Sequence, residues 1–121
     1  SPGLATAAEA KLHGETVDPA VIGSAIAGLR DQPGGDAMDV IVLACTHFPL
    51  LQDELRAVVG PHVRLIDGAE GIARRIAHLT ESQRWPDEAS AGIAVFTRSD
   101  DHPPPPPAAL APYGIGTIET I

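Results

Sequence analysis

Apolar positions along this chain fall into helix-spaced runs alternating with short strand-length runs. Residues 4–12 are Ala-rich and predict a short helix ending near Gly14. Asp18-Pro19 predicts a second helix start, with Asp18 as N-cap and Pro19 at the first helical position. Val21, Ile22, Ala25, Ile26 and Leu29 follow at helical spacing, and Gln32-Pro33-Gly34-Gly35 stops that helix. Residues 38–44 form a near-continuous apolar run of strand length, as expected of a central parallel strand buried on both faces. Pro49 opens a helix with Leu51, Leu55, Val58 and Val59 on one face, and Gly60-Pro61 ends it. Residues 63–66 predict a second strand. Asp67-Gly68-Ala69-Glu70 then has the spacing of a capping box and launches a helix bearing Ile72, Ala73, Ile76 and Leu79.

Beyond residue 80 the pattern weakens. Residues 80–90 are polar and irregular, and residues 92–97 predict a third strand. Residues 103–107 are consecutive prolines, expected to be extended polyproline II. In the tail, Ile115, Thr117, Ile118 and Glu119 alternate as in a terminal strand. The order predicts an α/β fold: a parallel sheet flanked by helices, of Rossmann or flavodoxin type. Residues 1–80 carry its core. Residues 81–121 form a C-terminal segment of strand, Pro-rich loop and terminal strand, for which a different sheet remains open.

Composition narrows the function classes. The 121 residues suffice for one domain with a real core, filled by Ala, Val, Ile and Leu because aromatics are only 3%. A formal charge of −8 argues against nucleic acid or an anionic membrane surface as partner, since either needs clustered Lys and Arg. No apolar run approaches a membrane span, and the N-terminus lacks a basic-then-apolar secretory pattern. A single cysteine forms no internal disulfide, which points to a reducing cytoplasm. The chain opens on Ser1-Pro2-Gly3 without an initiator Met, compatible with processing or with a fragment of something longer.

That cysteine stands in the sequence Cys45-Thr46-His47, where the first apolar strand ends and the next helix begins. Ligands of open α/β sheets bind outside the carboxyl ends of the strands. Backbone N–H groups around residues 46–50, with the positive end of a helix dipole, suit a substrate carboxylate. The same field and the His47 imidazole would lower the thiol pKa, giving a thiolate able to act as base or nucleophile. Spacing does not choose between those two. Each residue also has a plainer role: a lone Cys after an apolar strand is usually an inert core residue, and His47 alone would serve as a helix-start donor. Cys45 and His47 are only two ligands, so no metal site is expected. His13, His62, His78 and His102 fall in surface segments.

The stretch VLACTHFPLLQDEL, followed by VRLIDGAEGIARRI, resembles the carboxyl-terminal half of the bacterial glutamate racemase family. That family carries a Gly-Cys-Thr-His-Tyr/Phe-Pro-Leu-Leu motif, then a strand ending in Ile-Asp and a helix with Ala-Arg-Arg. The matching residues are Cys45, Thr46, His47, Phe48, Pro49, Leu50, Leu51, Ile66, Asp67, Ala73, Arg74 and Arg75. SPGLATAAEA and AVFTRSDD are similar, more loosely, to the segments at the ends of that half. The His at the third motif position favours glutamate racemase over its aspartate and hydantoin racemase relatives.

The resemblance implies a cofactor-independent isomerase in which one thiolate removes the α-proton of glutamate and a second thiol on the opposite face returns a proton, supplying D-glutamate for peptidoglycan. On this reading Cys45 matches the second-half catalytic cysteine and His47 the histidine that assists it. Thr46 matches a substrate hydrogen-bonding residue, and Glu9 the acidic residue near the same site, whose plainer role is an exposed helix carboxylate. Arg74 and Arg75 read as surface residues and Asp67 as a helix cap. Gly68 replaces the family's Ser, so any side-chain contact from that position is lost.

The family's first cysteine, its Asp-Ser-Gly loop and its Asn-Thr segment belong to the other half and are not among these residues. A partial racemase is therefore expected, its substrate L- or D-glutamate and its protein partner either the N-terminal half, on which residues 81–121 would pack, or a second copy of the chain. In isolation it should be inactive, or exchange the α-proton of one enantiomer. A non-catalytic α/β remnant or binding module, an aspartate racemase-like enzyme, and a Cys-His nucleophile acting on an acyl substrate are the competing readings.

Overall fold

Helix starts and stops written into Asp18, Gly34 and Gly60 fall where expected in the computed structural model, which describes residues 2–97 and 103–121. Asp18 is extended (φ −70°, ψ 117°), and its carboxylate accepts from the Ala20 N–H at 2.8 Å. Pro19, which has no N–H to leave unpaired, takes the first helical position. The chain divides into two compact units, Ser1–Lys11 with Thr16–Gln83, and Leu12–Glu15 with Arg84–Ile121.

In the first unit, α1 (Pro2–Leu12) and α2 (Pro19–Arg30) precede β1 (Val40–Val42). A 3-10 turn (Phe48–Leu51), α3 (Gln52–Val59), β2 (Arg64–Ile66) and α4 (Ala69–Leu79) follow. β1 and β2 pair in parallel, Val40 opposite Arg64 and Val42 opposite Ile66. The Leu43 N–H extends the ladder by donating to the Ile66 carbonyl at 2.7 Å. Leu4 and Ala8 of α1, Ile22 and Ile26 of α2, and Leu51 and Leu55 are buried together with Ile41 and Leu43. Each buried Leu or Ile contributes about 1.5–3 kcal/mol by leaving water. Gly60 ends α3 with φ +80°, a backbone conformation a β-carbon disfavours.

Three expectations need correction here. The apolar run at 38–44 gives only a three-residue strand, and Val42 is 65% exposed. Among the described residues its sheet has two strands, so β1 has a strand neighbour on one edge and is buried on one face, not both. The helix expected from Pro49 begins as a 3-10 turn, because the N–H groups of Phe48 and Leu50 reach back three residues, to the Cys45 and His47 carbonyls. The capping box does not form, because the N-cap position falls on Gly68, which has no side chain to cap with. Asp67 accepts from the Ala69 N–H at 2.8 Å, but Glu70 turns forward to pair with Arg74 at 2.7 Å, one helical turn on. The α4 side chains Ile72, Ile76 and Leu79 are exposed.

The second unit has its own sheet, as the loop-rich sequence left open. β3 (Gly92–Phe96) pairs in parallel with β4 (Ile115–Thr120). Gly92 pairs with Ile115 but Ile93 with Thr117, so Gly116 forms a bulge, and a β-carbon on it would lie 3.0 Å from that of Ala91. Pro106 has the polyproline II angles expected (φ −62°, ψ 145°). Pro107, however, starts the short helix α5 (Pro107–Leu110), since proline suits a first helical position. Residues 98–102, which include His102 and part of the loop after β3, lie outside the described residues.

Candidate active site

Pairing of β1 ends at Leu43, and the chain then turns sharply. The Cys45 carbonyl accepts from the Phe48 N–H at 3.1 Å, and the His47 carbonyl from the Leu50 N–H at 3.1 Å. This double turn folds the chain back over Cys45 and directs the backbone N–H groups of His47 and Phe48 at its sulfur. His47 Nδ1 lies 3.6 Å from Cys45 Sγ. On the far side of the ring, Nε2 lies 2.6 Å from Glu9 Oε1 of α1. The structure thus brings Cys45, His47 and Glu9 into one line of polar contacts. Thr46 is exposed at the same turn, and its side chain makes no hydrogen bond among the described residues.

The electrostatics run in one direction. The Cys45 thiol is held below its ordinary pKa, first by the His47 N–H and then by the His47 ring, with partial burial opposing them. His47 is raised above its ordinary value, first by its contact with Cys45 and then by Glu9. Both shifts favour a thiolate beside an imidazolium. The helix dipole has less part in this than the sequence suggested. α3 starts only at Gln52, and Asp53 and Glu54 occupy its first turn.

Cys45 is half-buried, so the sulfur is not sealed in the core. An apolar groove of about 170 Å³ runs beside the turn, lined among others by Ile26, Val42, Leu43 and Phe48. Its lining has no charged residue and does not suit a dicarboxylate. Asp67 lies one residue before the Gly68 N-cap of α4 and accepts from the Ala69 N–H, and Arg74 lies on the surface paired with Glu70. His62 and His78 are exposed as expected, and His13 is half-buried.

One neighbour of the site escaped the sequence reading. Lys11, two residues after Glu9, reaches Glu54 at 2.7 Å and donates to the Leu50 carbonyl at 2.9 Å. Its partners lie about forty positions away, so no local spacing could signal them.

No family model matches the chain. The glutamate racemase of Sphingopyxis alaskensis is 74% identical over all 121 residues, which span 45% of that protein. The glutamate racemase of Shewanella halifaxensis is 35% identical, with 98% of this chain and 43% of that protein aligned. Among solved structures, Escherichia coli glutamate racemase in complex with L-glutamate and the activator UDP-MurNAc-Ala superposes with a TM-score of 0.74 at 36% identity, over 100% of this chain and 45% of that one. The chain therefore spans about half the length of the curated relatives it matches. At this level of identity and superposition, the chain belongs to the glutamate racemase family and corresponds to the carboxyl-terminal portion of its members.

Proposed function

We propose that this chain supplies one of the two proton-transfer faces of a glutamate racemase. Cys45 Sγ, as thiolate, takes the α-proton of glutamate: the C–H bond breaks, its electron pair stays on carbon, and an S–H bond forms. In the opposite direction the thiol returns that proton. His47 assists by stabilising the thiolate, Glu9 orients and charges His47, and exposed Thr46 hydrogen-bonds the substrate. The acid or base for the other face comes from outside these residues, because the chain has one cysteine. The reaction so drawn needs no cofactor.

The observation that carries the reading is the Sγ–Nδ1 approach of 3.6 Å, backed on the other ring nitrogen by a carboxylate at 2.6 Å. An inert core cysteine would need neither partner. L-Glutamate, present in the Escherichia coli complex, is the substrate we assign. The product D-glutamate would serve peptidoglycan and cell-wall synthesis, in the cytoplasm, where a lone thiol stays reduced.

Grafting tests the proposal. With this chain in place of the matching stretch of the Sphingopyxis racemase, the chimera should racemise glutamate and exchange its α-proton in deuterated water. Cys45→Ser should abolish exchange at the face it serves. A well-folded chimera that is inert, or a covalent acyl adduct on Cys45, would overturn the assignment. The 121-residue chain alone should not interconvert the enantiomers.

A further inference from the structure

The Glu9–His47 contact joins two elements whose packing does little to hold it in register. The buried face of α1 is formed by Leu4, Ala7 and Ala8. Leu4 anchors the start of the helix, but beyond it the two methyl groups interlock poorly, so apolar contacts resist a small slide of the Glu9 end less than larger side chains would. A slide of about 1 Å would stretch a 2.6 Å hydrogen bond past useful length. A directional contact near Glu9 would hold this end of the helix against the turn.

Lys11 provides that. Its ammonium donates to the Leu50 carbonyl at 2.9 Å and pairs with Glu54 at 2.7 Å. Leu50 belongs to the turn that starts at His47, whose carbonyl accepts the Leu50 N–H. Glu54 stands in the first turn of α3. One side chain therefore ties the end of α1 to both the His47 turn and the helix behind it. Both partners are partly buried, with side-chain exposures of 35% and 28%, so water competes less than at an open surface pair.

We propose that Lys11 is a positioning residue, which clamps α1 to the Phe48–Leu51 turn and so sets the reach of Glu9 to His47. This rests on the proposed roles of Glu9, His47 and Cys45. Lys11 touches none of the reacting atoms and acts through Glu9.

The single cysteine gives a clean readout on the full chain, because iodoacetamide alkylation reports Cys45 alone. In Lys11→Met the alkylation profile should move to higher pH, slowing the reaction near neutrality by about three- to tenfold, the effect of half to one pKa unit. Lys11→Arg, which keeps the charge and donors, should restore most of the rate. Loss of the Lys11 charge could also act on the thiol directly, and a cycle with Glu9→Gln separates the two. Clamping through Glu9 requires Lys11→Met to add little in the Glu9→Gln background, whereas an equal shift in both backgrounds overturns it. If Glu9→Gln shifts the profile and Lys11→Met does not, the clamp is wrong and the site reading stands. If Glu9→Gln itself shifts nothing, the site reading fails. Should Lys11→Met unfold by circular dichroism, Glu54→Gln, which weakens the clamp and leaves Lys11 charged, gives the same decision.

Discussion

His47 Nε2 lies 2.6 Å from Glu9 Oε1, joining residues 38 positions apart. With that nitrogen bound to a carboxylate, the ring presents Nδ1 to Cys45 Sγ, and a proton placed there faces sulfur. The carboxylate therefore both orients the imidazole and favours its charged form. A histidine held from one side only would be free to turn away from the thiol.

The pH dependence of Cys45 follows from that arrangement. Its thiol is lowered from an ordinary value of 9.0, so alkylation should rise with pH through a midpoint below 9.0. His47→Asn removes the ring contact, although the backbone N–H remains. The midpoint should move up, and the rate near neutrality should fall about three- to tenfold. Alkylation rates between pH 5 and pH 10 would check this (the range spans both ordinary values). An unchanged midpoint would mean that the imidazole does not reach the sulfur in solution.

Acid should weaken the Lys11–Glu54 tie. Burial raises the Glu54 pKa, but the Lys11 hydrogen bond and the local backbone outweigh it, and the net shift is downward from 4.5. A lowered folded-state pKa stabilises above the unfolded value, and that stabilisation is lost as pH falls through the folded one. Urea unfolding should thus show a decline in stability below pH 4.5 that is smaller in Glu54→Gln. The difference should be no more than about 1 kcal/mol for a partly exposed pair.

Much of this fold is legible in the sequence because its signals are local. Asp18-Pro19, Gly34 and Gly60 act within one turn of chain, and the thiol and imidazole of Cys45 and His47 are two residues apart. Apolar runs are less informative, because they do not say how many layers cover them. Val40 to Val42 reads as doubly buried, yet Val42 faces solvent. Pro49 is ambiguous for a different reason: α and 3-10 turns both accept a proline at their start. Glu9 was reachable only by resemblance to a family. Lys11 was not reachable at all, since nothing near it in sequence marks Leu50 or Glu54 as partners.

Leu51 ties the site to the core. It is fully buried at the end of the Phe48–Leu51 turn, against the cluster that includes Ile22 and Leu55. Leu51→Ala should cost about 2–5 kcal/mol in urea unfolding, the range for a buried leucine leaving a cavity. The turn carrying His47 packs through this residue, so Cys45 alkylation should lose its low midpoint in the same variant. A stability loss well under 1 kcal/mol would show that the surrounding side chains close over the gap.

The exposed face of α4 should govern how the isolated chain behaves in solution. Ile72, Ile76 and Leu79 follow at spacings of four and three, forming one apolar stripe, and are 61%, 52% and 62% exposed. Such a stripe favours self-association whether or not another protein segment normally covers it. Sedimentation velocity should show association that grows with concentration, and Ile76→Lys should suppress it. Because Ile76 is still about half exposed, that substitution should change unfolding stability by no more than about 1 kcal/mol. Association that survives Ile76→Lys paired with Ile72→Lys would place the sticky surface elsewhere, with the exposed edge of Val42 the next to test.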